Sequence, residues 1–247
     1  MILTSAAREV ILALADDEAC MGHRHSEWVG VAPFLEEDLA IMSIGQDELG
    51  HARLLYLLIT AEVDHLALLR PPEQYRCAWM VEQPASDYAD ALVRHLLYDT
   101  AEGVRWRALV QSSVTPLAEL AHQVERDEAF HVAHAVAMTE RLLDSTDEAA
   151  TRIRAALDRW FPLGAGLFEP TASDAEAVAE GVVAASSAAL LDEWRHEVAV
   201  RLAPFGIAVP VATAALPGGR RGVRSPYFAA LHADMTAVFA LDPSASW

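Results

Sequence analysis

Glu48-Leu49-Gly50-His51 and Glu128-Ala129-Phe130-His131 decide the reading of this 247-residue chain. Each is a Glu-x-x-His inside a long segment of helical periodicity, about Leu35 to Val63 for the first and about Thr115 to Leu143 for the second. Residues at i and i+3 share a helix face, so each pair can present a carboxylate and an imidazole to one ion. Those faces also carry Ile41, Ile44, Ala52 and Leu55 around the first motif, and Ala121, Val124, Val132 and Ala135 around the second. Both motifs therefore interrupt apolar stripes that point into a core. A buried carboxylate without a partner is costly, and a bound metal ion removes that cost.

A bundle site for two ions takes one more carboxylate from each of two further helices. A first helix, from about Ser5 to Glu27 with Thr4 or Ser5 as its cap, supplies Glu18 on the face of Ile11, Leu14 and Met21. A third, from about Ser86 to Gln111, supplies Asp99 and Glu102 on the face of Leu92, His95 and Trp106. The separations match: 48 − 18 = 30 residues from Glu18 to Glu48, and 128 − 99 = 29 from Asp99 to Glu128. Each is the length of a helix, a turn and a return to the same depth. The spacing favours Asp99, with Glu102 as an alternative or additional ligand. Glu48 and Glu128 form the natural bridging pair. Mixed carboxylate and imidazole ligation suits iron, with manganese possible.

Other residues are expected in supporting roles. His95 lies one turn before Asp99 and can support a ligand from behind. His122 and His134 read as surface or hydrogen-bonded histidines. The run Asp16-Asp17-Glu18 has the composition of a solvated face, with Glu18 its inward member. Glu36-Glu37-Asp38 opens the second helix and favours its dipole. Trp28, Tyr98, Trp106 and Phe130 are candidate walls of an apolar pocket.

Composition points the same way. Hydrophobic residues make up 53% of the chain, drawn mainly from Ala, Leu and Val, and aromatics only 7%, which favours an all-α bundle over a β-sandwich. One domain over residues 1–247 is expected, with a core bundle over about 5–143 and a helical extension over about 148–247. The extension reads as helices over about Glu148–Trp160, Ser173–Leu202 and Ser225–Leu241. A loop at Pro162–Gly166 and an extended arm over Ile207–Leu216 separate them. The net charge of −18 should repel nucleic acid and anionic membranes. Cys20 and Cys77 form no CxxC or Cys–His cluster. No signal peptide or membrane span is legible, so a cytoplasmic location is expected.

The chain also resembles a known family. Ser26-Glu-Trp-Val-Gly-Val-Ala-Pro33, Leu35-Glu-Glu-Asp-Leu-Ala40 and Ile44-Gly45 carry the resemblance. Val81-Glu-Gln-Pro84, Asp87-Tyr-Ala-Asp90, Gly218-Gly-Arg-Arg-Gly222 and the ending Pro243 to Trp247 extend it over nearly the whole chain. These runs resemble the phenylacetic acid catabolic family, and most closely its C-subunit-like branch of phenylacetyl-CoA epoxidases. The resemblance implies a ferritin-like fold. It also implies a multicomponent epoxidase in which one component holds the di-iron centre and the C-type component is a structural partner. C-type components typically have apolar or amide residues where this chain has Glu48 and His51. The framework thus resembles the structural partner, whereas Glu18, Glu48, His51, Asp99, Glu128 and His131 match the ligand positions of a catalytic one.

The expected function is that of a non-haem di-iron oxygenase. It would use O2 to epoxidise, hydroxylate or desaturate an apolar substrate, with an aromatic acid derivative or acyl-CoA thioester first in line. Two iron ions and electrons from a separate reductase are expected, since no flavin or iron–sulfur motif is present. The expected assembly is a homodimer or a hetero-oligomer with related subunits. The rival expectations are a non-catalytic structural partner and a ferritin-type ferroxidase or peroxidase.

Overall fold

The computed structural model describes residues 2–210 and 218–242. Its α-helices are α1 (Ser5–Ser26), α2 (Leu35–Ile59), α3 (Val63–Leu68), α4 (Trp79–Glu82), α5 (Tyr88–Arg107), α6 (Thr115–Leu143), α7 (Asp147–Ala165), α8 (Asp174–Ala179), α9 (Ser187–Leu202) and α10 (Phe228–Thr236). No strand occurs among the described residues. The four long helices α1, α2, α5 and α6 pack as two neighbouring pairs, α1 on α2 and α5 on α6, and α2 also meets α6. A long connection through α3 and α4 joins the pairs, which is the connectivity of a ferritin-like bundle. The fold is all-α, as the sequence implies.

Local chemistry sets the boundaries. The Thr4 hydroxyl caps α1 by accepting from Ala7 N–H at 3.1 Å. Asp87 caps α5 by accepting from Asp90 N–H at 2.9 Å. Close approach of α1 and α2 depends on a glycine pair. A Cβ on Gly22 would stand 2.7 Å from Leu49 Cγ and 3.0 Å from the Gly45 carbonyl, and one on Gly45 would stand 3.1 Å from His25 Cβ.

Helix α5 is the centre of the molecule, buried without interruption from Ala89 to Glu102. Helices α7 and α9 cover the side of α5 that the bundle leaves open. One hydrophobic cluster runs from Ala6 on α1 to Met235 on α10.

Several expected boundaries are corrected. Helix α2 stops at Ile59, because Thr60 turns extended, and α3 restarts at Val63. The expected loop at Pro162–Gly166 is instead the last turn of α7, with Pro162 inside the helix. Burial drives this continuation: Phe161 stacks on Trp194 at 4.8 Å between ring centroids, and a Cβ on Gly164 would lie 2.8 Å from the same indole. The single helix expected over Ser173–Leu202 is broken at Gly181, whose φ of +72° favours glycine, giving α8 and α9. The final helix is shorter than expected and ends at Thr236. Most of the arm expected over Ile207–Leu216 lies outside the described residues.

Candidate metal centre

Four helices converge their inward faces on one point. Glu18 from α1, Glu48 and His51 from α2, Asp99 and Glu102 from α5, and Glu128 and His131 from α6 are all buried. Ligand atoms of Glu18, Glu48, His51 and Glu128 lie within 4.8 Å of one another, and so do those of Glu48, Asp99 and His131. Each group could hold one metal ion, and Glu48 belongs to both. His51 Nδ1 lies 3.6 Å from Glu18 Oε2 and 3.7 Å from Glu128 Oε1. His131 Nδ1 lies 3.7 Å from the same Glu128 oxygen and 3.9 Å from Glu48 Oε1. Both Nδ1 atoms therefore face inward, with Glu128 between them.

The two candidates on α5 are both buried, with neither carboxylate hydrogen-bonded, and differ in their neighbours. Asp99 joins the acid–imidazole group, whereas Glu102 is ion-paired with Arg105 on its own helix.

The electrostatics of the cluster are those of acids crowded together in the interior. Burial pushes the carboxyl of Glu48 well above its ordinary range, with the charge of Glu18 adding to it. Burial does the same to Glu128, with Asp99 adding, and raises Asp99 to about 7. Burial also opposes ionisation of Glu18, but the neighbouring Glu48 carboxyl and His51 outweigh it and hold Glu18 below its ordinary value. His51 is raised to about 9, because the Glu18 contact outweighs burial. Among the described residues, Glu18 Oε2, both carboxylate oxygens of Glu48, Asp99 and Glu128, and the Nδ1 atoms of His51 and His131 have no hydrogen-bond partner. Buried polar groups are normally satisfied. Orphaned acceptors and imidazole nitrogens gathered at one point fit a pair of cations of the iron or manganese type.

Three features of the site escape the sequence reading. First, His51 Nε2 lies 3.4 Å from Asp127 Oδ2, and His131 Nε2 lies 3.3 Å from Asp47 Oδ2. Each aspartate precedes the glutamate of one motif and holds the histidine of the other, straddling α2 and α6. The signal was present, since both motifs read Asp-Glu-x-x-His. Such outer carboxylates fix the tautomer and aim of a ligating imidazole.

Second, Asp16 and Asp17 are fully buried, which corrects the expected solvated face. Asp16 takes Tyr56 Oη–H at 2.6 Å and an ion pair with Arg70. Asp17 takes Arg105 at 2.5 Å and Arg220 at 2.6 Å, and these guanidiniums overcome burial and keep its carboxyl below the ordinary value. The arginines come from distant segments, so local composition gave no sign of them.

Third, Glu37 does more than open α2. It is buried and accepts from Tyr88 Oη–H, while its other oxygen lies 2.9 Å from His134 Nε2.

The expected pocket walls divide. Tyr98 and Trp106 are buried, and Trp106 Nε1–H donates to Glu18 Oε1 at 3.2 Å. Trp28 borders a small cavity with His25, Tyr88 and His95. Phe130 is 60% exposed and lines nothing internal, because it points away from the His131 face.

The family model described as "Phenylacetic acid catabolic protein" matches residues 3–247. The C subunit of the 1,2-phenylacetyl-CoA epoxidase from Escherichia coli (strain K12) is 28% identical over 242 residues, covering 96% of this chain and 97% of the relative. With a match running almost end to end, the chain belongs to the phenylacetic acid catabolic protein family.

Proposed function

We propose that this chain holds two iron ions among α1, α2, α5 and α6 and serves as the O2-using component of an epoxidase-type oxygenase. The observation that carries the reading is the set of buried, unbonded carboxylate oxygens on Glu18, Glu48, Asp99 and Glu128 beside two unbonded imidazole nitrogens. A protein that needed only packing would fill this volume with apolar side chains, since unpaired buried acids oppose folding. Glu18, Glu48 and His51 would hold one ion, and Asp99, Glu128 and His131 the other. Glu48 and Glu128 would lie between them. Glu102, ion-paired with Arg105, stays in reserve.

Bound iron would supply the reduction of O2 and the oxidation of the substrate, with electrons from a separate reductase. The protein's own residues set the conditions. Asp127 and Asp47 aim His51 and His131. Trp106 fixes one oxygen of Glu18 and leaves the other free. Tyr98 and Trp106, buried on α5 beside Glu18, would keep bulk water away. Family membership supports a substrate of the phenylacetyl-CoA kind, an aromatic acyl thioester, and an assembly with related subunits.

The likeness to a C-type epoxidase component favours a second reading, in which the chain is a structural partner within such an assembly. Reconstitution with a reductase and candidate partner proteins separates the two. Under the first reading, Glu48→Ala and His51→Ala lower turnover by at least about 100-fold while binding to the partners persists. Unchanged turnover in both variants would leave the structural role standing.

A further inference from the structure

The metal cluster does not end at its acids. Behind Asp99 runs a line of side chains drawn from three helices. His95 Nδ1 stands 2.6 Å from Asp99 Oδ2, one turn away on α5. The far side of the same ring, Nε2, meets His134 Nδ1 on α6 at 3.2 Å. His134 Nε2 in turn meets Glu37 Oε2 on α2 at 2.9 Å, and Tyr88 Oη–H at the start of α5 closes the line on Glu37 Oε1. His95 and Glu37 are buried, and His134 is mostly so. The outer end borders the small cavity of His25, Trp28, Ile41 and Tyr88.

Taken alone, each member has an ordinary explanation. Together they show a direction. Each imidazole has two nitrogens that can be bonded, and in His95 and His134 both face a polar atom of the line. His134 has both nitrogens engaged, so neither its ring rotation nor its tautomer is free, and its contact with His95 Nε2 keeps the other side of that ring toward Asp99. Asp99 differs from Glu18, Glu48 and Glu128 in being the shortest of these side chains, and it sits on the most enclosed helix. Its carboxylate has little reach, so its aim depends on what stands behind it. The opposite histidines, His51 and His131, have single aspartates behind them. Asp99 has a line of four residues instead.

We infer that His95, His134, Glu37 and Tyr88 are positioning residues that aim Asp99 at the second metal position, with Glu37 as the distal anchor of the line. The inference rests on the metal reading above and extends it to residues that lie outside the ligand set. It predicts that a change at His134 or Glu37, neither of which lies in either cluster of candidate ligands, alters the metal centre.

The test compares the full-length protein with His134→Ala, His134→Gln and Glu37→Gln. Anaerobic Fe(II) binding is measured by chelator competition, and the visible absorption of the Co(II)-loaded proteins reports ligand geometry. Circular dichroism of the metal-free proteins checks folding. His134→Ala should weaken binding of one of two Fe(II) ions by about 10- to 100-fold and shift the Co(II) bands. Glu37→Gln should move both readouts in the same sense but less, and His134→Gln, which keeps a polar group in the line, should recover part of the loss. Should His134→Ala fail to fold, Glu37→Gln alone decides. Wild-type Fe(II) affinity and an unshifted Co(II) spectrum in the folded variants would overturn the inference while leaving the metal reading intact. A wild-type protein that takes up no Fe(II) would overturn both.

Discussion

Residue Glu48 concentrates the tension in this molecule. It is fully buried, close to Glu18, Glu128 and Asp99, and neither of its oxygens has a hydrogen-bond donor. In the metal-free protein such acids keep protons, and the sign of the resulting pH dependence can be worked out. Asp99 is raised to about 7, and Glu48 and Glu128 are raised well above their ordinary values, so the folded state binds more protons than the unfolded chain above the ordinary carboxyl range. Stability therefore falls as pH rises through that window. His51, raised to about 9, adds stability that is complete below its ordinary value and is lost as pH climbs toward 9. The unfolding midpoint of the metal-free protein should thus decline steadily between about pH 5 and 9. Glu48→Gln should flatten the decline and stabilise the metal-free protein at neutral pH by about 1–3 kcal/mol. Thermal melts across pH check both, and a midpoint that rises with pH would contradict the assignment. Metal binding must displace those protons, so Fe(II) affinity should increase over the same range.

At the scale of elements, the pairing of α1 with α2 sets the distance from Glu18 to Glu48 and His51. Gly22 and Gly45 allow that approach, and Gly22 lies one turn from Glu18. Gly22→Val should push α1 outward. Overpacking of this kind costs about 1–3 kcal/mol, and displacement of Glu18 should loosen the first metal position more than the second. Denaturant titration and metal titration together separate the two effects. Equal retention of both ions would show that α1 spacing does not control the site.

The elements were largely legible in the sequence, for an identifiable reason. The ends of α1 and α6 fall within a residue of where periodicity and capping place them. Each of these helices has a local cause: a hydroxyl cap on α1, and on α6 a proline in the first turn. Pro162 and Gly181 mislead because their outcome depends on what packs around them. Trp194 holds α7 together past its proline, whereas nothing comparable bridges Gly181. The buried acids and imidazoles of the cluster were readable because each sits on a periodic stripe. Asp47 and Asp127 carried a signal in the repeated Asp-Glu-x-x-His, but Glu37 and His134 carried none, since a side chain that bonds across helices looks like an ordinary surface acid or histidine in one dimension.

For the whole molecule, the C-terminal segment acts as a clamp on the bundle. Gly218-Gly-Arg-Arg-Gly222 crosses the loop before α4 so closely that a Cβ on Gly219 would lie 2.4 Å from the Cys77 carbonyl. This contact delivers Arg220 to Asp17 in the core, where it also donates to the carbonyls of Ala13, Arg76 and Leu167. One guanidinium thus joins α1, the α3–α4 connection and the end of α7, one residue before Glu18. Removing one member of a buried pair leaves the other charge uncompensated, at a cost of about 3–5 kcal/mol. Arg220→Ala should fall at the low end of that range, because Arg105 still faces Asp17. A loss below about 1 kcal/mol in denaturant titration would mean that the clamp is ornamental. At the same scale, no helix among the described residues is long and apolar enough to cross a membrane.

Metal content tests most directly whether the buried acids and imidazoles hold two metal ions. The protein would be loaded anaerobically with Fe(II), desalted and analysed for iron beside Glu48→Ala and Glu128→Ala. About two irons per chain are expected in the wild type, with most of both lost in either variant. Little or no retained iron in a folded wild-type protein would contradict that expectation.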